Sequence, residues 1–332
     1  QELAERVVGG GLEARDGGQL VERIELGGVR HVRLGIGMHH ALAALPIAHA
    51  PRQPGQFVLP LWKPMRLQVE HELQPMLDAW CREHGARRAA PVRAFRRVLR
   101  ITGRTESHVE EATQPIYAAW RDRTPPIETT ILASPGQIEL HLTARAASAE
   151  EARRALDEAA RALAPVLGDD LFSDDGRSLE EVVGGLLRER GLTIAVAESC
   201  TGGLLLSRLT DVPGSSAYVQ AGLVCYSNAA KMALAGVPED LLRAHGAVSE
   251  PVALAMAEGA RARGPADIGV GVTGIAGPGG GTPEKPVGTV AIAVVGPGGR
   301  QRRRTCRFAG SRAQVKLQAT QAALDDVRRL VS

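Results

Sequence analysis

The chain has 332 residues, enough for two or three domains with cores of their own. Hydrophobic residues make up 44% and charged ones 23%, as in ordinary globular proteins, and a net charge of +3 is too small to imply nucleic acid or a membrane. No window of 18 apolar residues and no opening signal peptide is present, and no membrane partner is expected; the lack of paired cysteines fits a reducing cytoplasm best.

Aromatic residues are only 3%, so the cores are expected to be built from Ala, Val, Leu and Ile. Cys81, Cys200, Cys225 and Cys306 are widely spaced and form no C-x-x-C pair. That spacing argues against a disulfide framework or a zinc site and reads as small buried hydrophobes. The chain starts on Gln1 rather than Met, as expected if an upstream piece is missing.

Residues 1–90 carry Pro46, Pro51, Pro54, Pro60 and Pro64 and no sustained period, with one helix expected over Arg66–Arg82. Residues 91–168 read as strand, helix, strand, helix. Strands are expected at Phe95–Ile101 and Ile138–Thr143, and a helix at Glu106–Asp122. Ser148 and Glu151 form a capping-box pattern before a helix with Ala152, Leu156 and Leu163 on one face. The acidic run Gly168–Asp175 reads as a hinge.

From Ser178 to Ser332 helices and apolar strands alternate. Ser178 and Glu181 make a second capping-box pattern, Leu179, Val182, Val183, Leu186 and Leu187 form an apolar stripe, and Gly191 closes that helix. Strands are expected at Thr193–Ala197, Gly222–Tyr226, Ile268–Val272 and Val287–Val295, with Thr305–Phe308 pairing onto the last. Helices are expected near Gly202–Leu209, Pro251–Arg263 and Arg312–Leu330. The pattern predicts an α/β fold: a three-layer α/β/α domain behind a small α+β module and a partial N-terminal domain.

Polar clusters follow three of these strands. Glu198-Ser199-Cys200-Thr201-Gly202-Gly203 places a serine hydroxyl where free backbone N–H groups could hold an oxyanion, although Ser199 or Thr201 could merely cap a helix. Tyr226-Ser227-Asn228-Ala229-Ala230-Lys231 offers a lysine that desolvation could make a base, although alone it reads as a surface residue. His245, the only histidine after His141, is the other candidate base. Thr273-Gly274-Ile275-Ala276-Gly277 opens a glycine-rich loop able to present N–H groups to a phosphate or ribose, or to be a plain turn. Arg312, at the start of the last helix, suits a phosphate. Open α/β sheets put their ligand crevice at such strand ends.

AESCTGG, YSNAAK, GAVSEPVA, VTGIAGPGGGTPEKPVGTV and FAGSR occur in this order and closely resemble the C-terminal domain of the CinA, or competence/damage-inducible, family. The resemblance covers nearly all of 178–332. It implies hydrolysis of the carboxamide of nicotinamide mononucleotide, giving nicotinate mononucleotide and ammonia, with no cofactor or metal for that step and a homodimeric state. By the same resemblance Ser199 is the nucleophile, and Lys231 and Tyr226 handle protons. Thr201, Gly202, Thr273, Gly274 and Gly277 line the pocket, and Arg312 holds the phosphate. Glu198 is expected to face the cationic pyridinium.

RITGRTESHVEEA and LASPGQIELHLTARAASAEEA resemble the family's KH-like linking domain, assigned to 91–168. Gly103-Arg104-Thr105-Glu106 replaces the G-x-x-G loop that grips nucleic acid, so RNA binding is not expected. The basic run Arg87, Arg88, Arg93, Arg96, Arg97 and Arg100 reads as a solvated strand face. Residues 1–90 look like a truncated, altered molybdopterin-binding-like domain. The family's GGLGPT loop is absent, and Leu59-Pro60-Leu61-Trp62-Lys63-Pro64 stands where relatives carry PGPP. The rival class is a nucleic-acid-associated or competence-partner protein with a vestigial pocket.

Overall fold

The computed structural model describes residues 23–26, 29–32 and 92–332. The chain divides into two compact units, Gln1–Arg87 and Arg88–Ser332. In the first, β1 (Arg23–Leu26) and β2 (Val29–Val32) pair as an antiparallel hairpin. The helix expected at Arg66–Arg82, the Leu59–Pro64 segment, Cys81 and most of residues 1–90, where a remnant domain was expected, lie outside the described residues.

The second unit opens with an antiparallel sheet covered by two helices. Its elements are β3 (Arg93–Ile101), α1 (Glu106–Tyr117), β4 (Ile127–Ser134), β5 (Gln137–Ala146), α2 (Ala149–Leu167) and β6 (Leu171–Ser173), with strand order β4-β5-β3-β6. Strict alternation builds β5, where Ile138, Leu140, Leu142, Ala144 and Ala146 are buried and their neighbours are not. They pack on Ala152, Leu156, Ala159 and Leu163 of α2. Ser148 caps α2 by accepting from the Glu151 N–H, without the return bond of a full capping box.

β4 was not expected. The run Gly168–Asp175 is not a hinge: Leu171–Ser173 joins the sheet edge beside β3, and Phe172 and Ser173 are buried. Asp170 pairs with Arg104 and Arg329, both at 2.6 Å. Burial raises the Asp170 pKa, but the two guanidiniums outweigh it and hold the carboxyl below its usual range. Within the basic run, Arg97 pairs with Asp157 and Asp174, and Arg100 with Glu139.

The rest of the unit contains α3 (Leu179–Glu189), β7 (Ile194–Glu198), α4 (Leu204–Thr210), β8 (Val219–Val224), α5 (Asn228–Ala235), α6 (Glu239–His245), α7 (Glu250–Arg263), β9 (Ile268–Gly274), β10 (Thr289–Val295), β11 (Gln301–Arg307) and α8 (Arg312–Val331). The Ser178–Glu181 capping box at the start of α3 is complete in both directions. The sheet order is β11-β10-β9-β7-β8, with β7 parallel to β8 and β9, and β10 antiparallel to both β9 and β11.

Helices cover both faces, giving an α/β/α layering. Side chains alternate across the sheet by size. Val196, Val270, Val272, Ile292 and Val294 meet α3, α4 and α8. Ala195, Ala197, Ala291 and Ala293 meet the side occupied by α5, α6 and α7. On that small-residue side Gly271 and Gly269 lie so close to α7 that a Cβ on either would strike the carbonyl oxygens of Ala253 and Ala257 respectively. The bulky face fills the core, and the bare face lets a helix backbone sit directly on the strands. No helix among the described residues is long and apolar enough to cross a membrane.

Candidate active site

The carboxyl ends of the parallel strands β7, β8 and β9 carry the polar clusters, as the crevice rule for open sheets anticipates. Ser199 follows the last residue of β7 and is tied to the next strand by its N–H, which donates to the Val272 carbonyl at 2.8 Å. Gly202 and Gly203, at φ +62° and +92°, let the chain turn sharply there before α4 begins at Leu204.

Lys231 lies in the first turn of α5, a helix capped by the Ser227 hydroxyl. Its Nζ donates to Ser199 Oγ at 2.9 Å and to the carbonyls of Cys225 and Tyr226 at 3.1 and 3.4 Å. Lys231 and Ser199 are only 2% and 6% exposed. No carboxylate among the described residues pairs with this ammonium. Burial pushes the Lys231 pKa down, partly opposed by the nearby Cys225 and Cys200 thiols. A serine hydroxyl thus sits against an amine whose charged form burial disfavours, an arrangement that suits nucleophilic catalysis. Burial also pushes the Cys200 thiol up to about 11, so it stays protonated beside Ser199 at neutral pH. His245, by contrast, is exposed and forms no hydrogen bond to Ser199 or Lys231.

Two assignments need correcting. Glu198 is 1% exposed, and its carboxylate accepts the N–H groups of Gly203, Leu205 and Leu206 at 3.1, 3.0 and 2.9 Å. Both oxygens cap α4, where the helix dipole favours an anion, so the carboxylate is turned into the helix terminus rather than outward as expected. Glu198→Ala should therefore lower the unfolding free energy by about 2–4 kcal/mol in urea titrations, because three backbone donors lose a charged acceptor. A loss under about 0.5 kcal/mol would remove the capping role.

Tyr226 is the second correction. Only its backbone carbonyl reaches Lys231. Its side chain is 61% exposed, and the hydroxyl accepts from Arg312 Nη2 at 2.9 Å rather than meeting Ser199. The Tyr226 hydroxyl is thus hydrogen-bonded to Arg312 and makes no hydrogen bond to Ser199 or Lys231, where a proton-handling group was expected.

The remaining residues divide between lining and support. Arg312 Nη1 donates to the Gly277 carbonyl at 2.8 Å, which ties the glycine-rich loop to the start of α8. The Thr273 hydroxyl is buried and donates to the Ala247 carbonyl at 2.8 Å. At Gly274 and Gly277 a Cβ would meet Val290 and Val287 at 2.7 and 2.6 Å, so both are bare for packing. Thr201 is fully buried, and its hydroxyl has no partner among the described residues. At Gly202 the only heavy atom among the described residues, chain neighbours apart, within 4 Å of a Cβ position is Lys316 Nζ, at 3.8 Å. Lys316 was not foreseen, although it lies four residues after Arg312 on one helix face, a spacing that brings side chains together. The open surface grooves follow α7 past Leu254, Glu258 and Arg303, away from the dyad. Among the described residues no group of three or more His, Cys, Asp or Glu is gathered as a metal site requires.

Two family models match this architecture: the CinA C-terminal domain over residues 176–331, and the damage-inducible protein CinA KH domain over residues 96–173. The chain belongs to the CinA family. A CinA-like protein of Koribacter versatilis is 48% identical over 261 residues, 78% of this chain and 61% of its own length. A CinA-like protein of Mycolicibacterium paratuberculosis is 43% identical over 295 residues, 85% of this chain and 63% of its own. The chain thus spans under two thirds of the length of these curated CinA relatives. The crystal structure of the competence/damage inducible protein CihA from Agrobacterium tumefaciens is 41% identical, covering 46% of this chain and 94% of that one with a TM-score of 0.46.

Proposed function

We propose that the chain is an amidohydrolase that converts nicotinamide mononucleotide to nicotinate mononucleotide and ammonia. The observation that carries this reading is the buried 2.9 Å contact between Lys231 Nζ and Ser199 Oγ. A vestigial pocket, as in a protein that only partners nucleic acid or competence factors, has no reason to keep an unpaired lysine buried against a serine, since burying a charge without a partner costs stability.

Neutral Lys231 takes the Ser199 hydroxyl proton as Oγ attacks the carboxamide carbon. The C–O bond forms, and the carbonyl π electrons move onto oxygen, which the Cys200 and Thr201 N–H groups are left to stabilise, since those of Ser199, Gly202 and Gly203 already donate within the fold. When the C–N bond breaks, the Lys231 ammonium returns its proton to the departing nitrogen, releasing ammonia and leaving an ester on Ser199. Water attacks that ester with Lys231 again as base, freeing the carboxylate and restoring the hydroxyl. Arg312, held by Gly277 and Tyr226, keeps three of its five N–H donors for the substrate phosphate.

The test is ammonia release from nicotinamide mononucleotide, with nicotinate mononucleotide followed chromatographically. Wild-type protein should turn over, and Ser199→Ala should lose at least about a thousandfold in kcat. A folded Ser199→Ala protein that keeps most of its activity would sink the nucleophile assignment, and an inactive wild type would sink the substrate.

A further inference from the structure

Residues 300–307 hold five arginines, Arg300, Arg302, Arg303, Arg304 and Arg307, and most of this run forms β11 at the edge of the five-stranded sheet. Among the described residues β11 pairs only with β10, and it lies three strands away from β7 and the dyad. Antiparallel pairing points alternate residues toward and away from the partner strand. The Phe308 N–H donates inward to the Gly288 carbonyl, and the Arg300 carbonyl accepts inward from Gly296. The backbone N–H and C=O groups of Gln301, Arg303, Thr305 and Arg307 therefore point away from the sheet. Side chains leave the strand on both faces. Arg302 and Arg304 turn toward α8, where their Nε atoms donate to the two carboxylate oxygens of Asp326 at 3.3 and 2.8 Å. Arg304 Nη2 also donates to the Ala322 carbonyl, while both Nη groups of Arg302 and Nη1 of Arg304 make no hydrogen bond among the described residues. Arg303 and Arg307 leave on the other face, exposed and without a carboxylate partner among the described residues.

Solvated charges alone would keep an edge strand from pairing with other chains. Here a carboxylate is buried beneath two guanidiniums that stay over 40% exposed, and burial pushes the Asp326 pKa up against their pull. Burying that acid is unfavourable, and edge protection does not require it. Outward donors and acceptors along a backbone suit another strand, and arginines on both faces of that strand suit carboxylates. A second β11 would set arginine against arginine. A nucleic acid would leave the outward carbonyls unpaired, and residues 297–307 contain no Phe, Tyr or Trp on which a base could stack. We infer that β11 is the docking edge for an acidic, extended peptide of a partner protein, which adds to the sheet as a further strand. Its carboxylates meet Arg302 and Arg304 on one face and Arg303 and Arg307 on the other.

The experiment is fluorescence anisotropy of a labelled, capped peptide, Glu-Glu-Thr-Thr repeated twice, titrated with the full chain in the absence of any nucleotide. The peptide should bind, and its counterpart with Lys in place of Glu should not. Arg303→Glu combined with Arg307→Glu should weaken binding at least about a hundredfold, the loss expected for two charged contacts. Both side chains are exposed and unpaired, so circular dichroism should keep the wild-type fold. Arg302→Gln, which leaves Arg304 on Asp326, should weaken binding by about tenfold. Methylating every backbone nitrogen of the peptide changes no charge, yet it should also weaken binding at least about tenfold, because an added strand needs those donors. Arg161→Gln, which removes one exposed charge from α2, should change nothing and so excludes a long-range field. An acidic peptide that fails to bind, a methylated peptide that binds equally well, or unchanged binding in the folded double variant would overturn the docking edge. Tighter binding of an oligothymidylate than of the peptide, lost in the same variants, would overturn it too and make β11 a nucleic-acid site.

Discussion

Lys231→Met is expected to stop ammonia release, with kcat falling at least about a thousandfold while circular dichroism keeps the wild-type fold. Lys231→Arg should fail equally, because a guanidinium stays protonated at every working pH. His245→Ala should stay within about tenfold of wild type, since that ring is exposed and unconnected to Ser199. Burial lowers the Lys231 pKa in the folded chain, and the base must be neutral to act. Wild-type turnover should thus climb with pH through that lowered pKa and level off above it. The same shift acts on stability. In the unfolded chain the lysine titrates near about 10.4, so between the folded pKa and that value the unfolded state binds the extra proton. Stability therefore rises with pH across this window, by up to about 1.4 kcal/mol per unit, and Lys231→Met should lose that rise. Parallel stability–pH curves for the two proteins, or a folded Lys231→Met enzyme near the wild-type rate, would take the base role from Lys231.

Much of this was legible because periodic burial is written locally. The alternation in Ile138–Thr143 marks β5, the stripe from Leu179 to Leu187 marks α3, and both reflect side chains that must share one face. β4 was missed because its side chains alternate only between exposed and half-buried from Glu128 to Leu132 and then stay exposed to Ser134, and its register is set by β5 rather than by its own pattern. α5 and α6 were missed because eight- and seven-residue helices give barely two turns of period. The site shows the same division. Strand-end positions could be read for Ser199, Lys231 and Thr273, but side-chain direction could not. Glu198 turns back to cap α4, Tyr226 turns outward to Arg312, and the asserted hinge at Gly168–Asp175 is fixed by Arg104 and Arg329 from elsewhere in the chain. Each of these outcomes depends on partners brought together by folding.

Gly259→Ala should be among the most damaging single-methyl additions in the molecule. Gly259 lies in α7, and a Cβ there would strike the carbonyl oxygen of Ala235, with the Ala235 carbonyl carbon and Cα at 2.6 and 3.0 Å. All three are backbone atoms, so no rotamer change relieves the clash and one helix must move. Ala235 ends α5, and Lys231 lies one turn earlier on that helix. The expected cost is at least about 3 kcal/mol in chemical denaturation, the upper range for overpacking. In the fraction that folds, displacement of α5 by roughly 1 Å should cost about a hundredfold in turnover, because the Lys231 amine no longer meets Ser199. Gly185→Ala supplies the opposite sign. It sits inside α3 with nothing nearer than Arg177 Nη1 at 3.9 Å, so removing a helical glycine should add about 0.5–1 kcal/mol and leave activity alone. If Gly259→Ala were as stable as wild type, or lost stability without losing turnover, the seating of α5 on α7 would not be what positions the base.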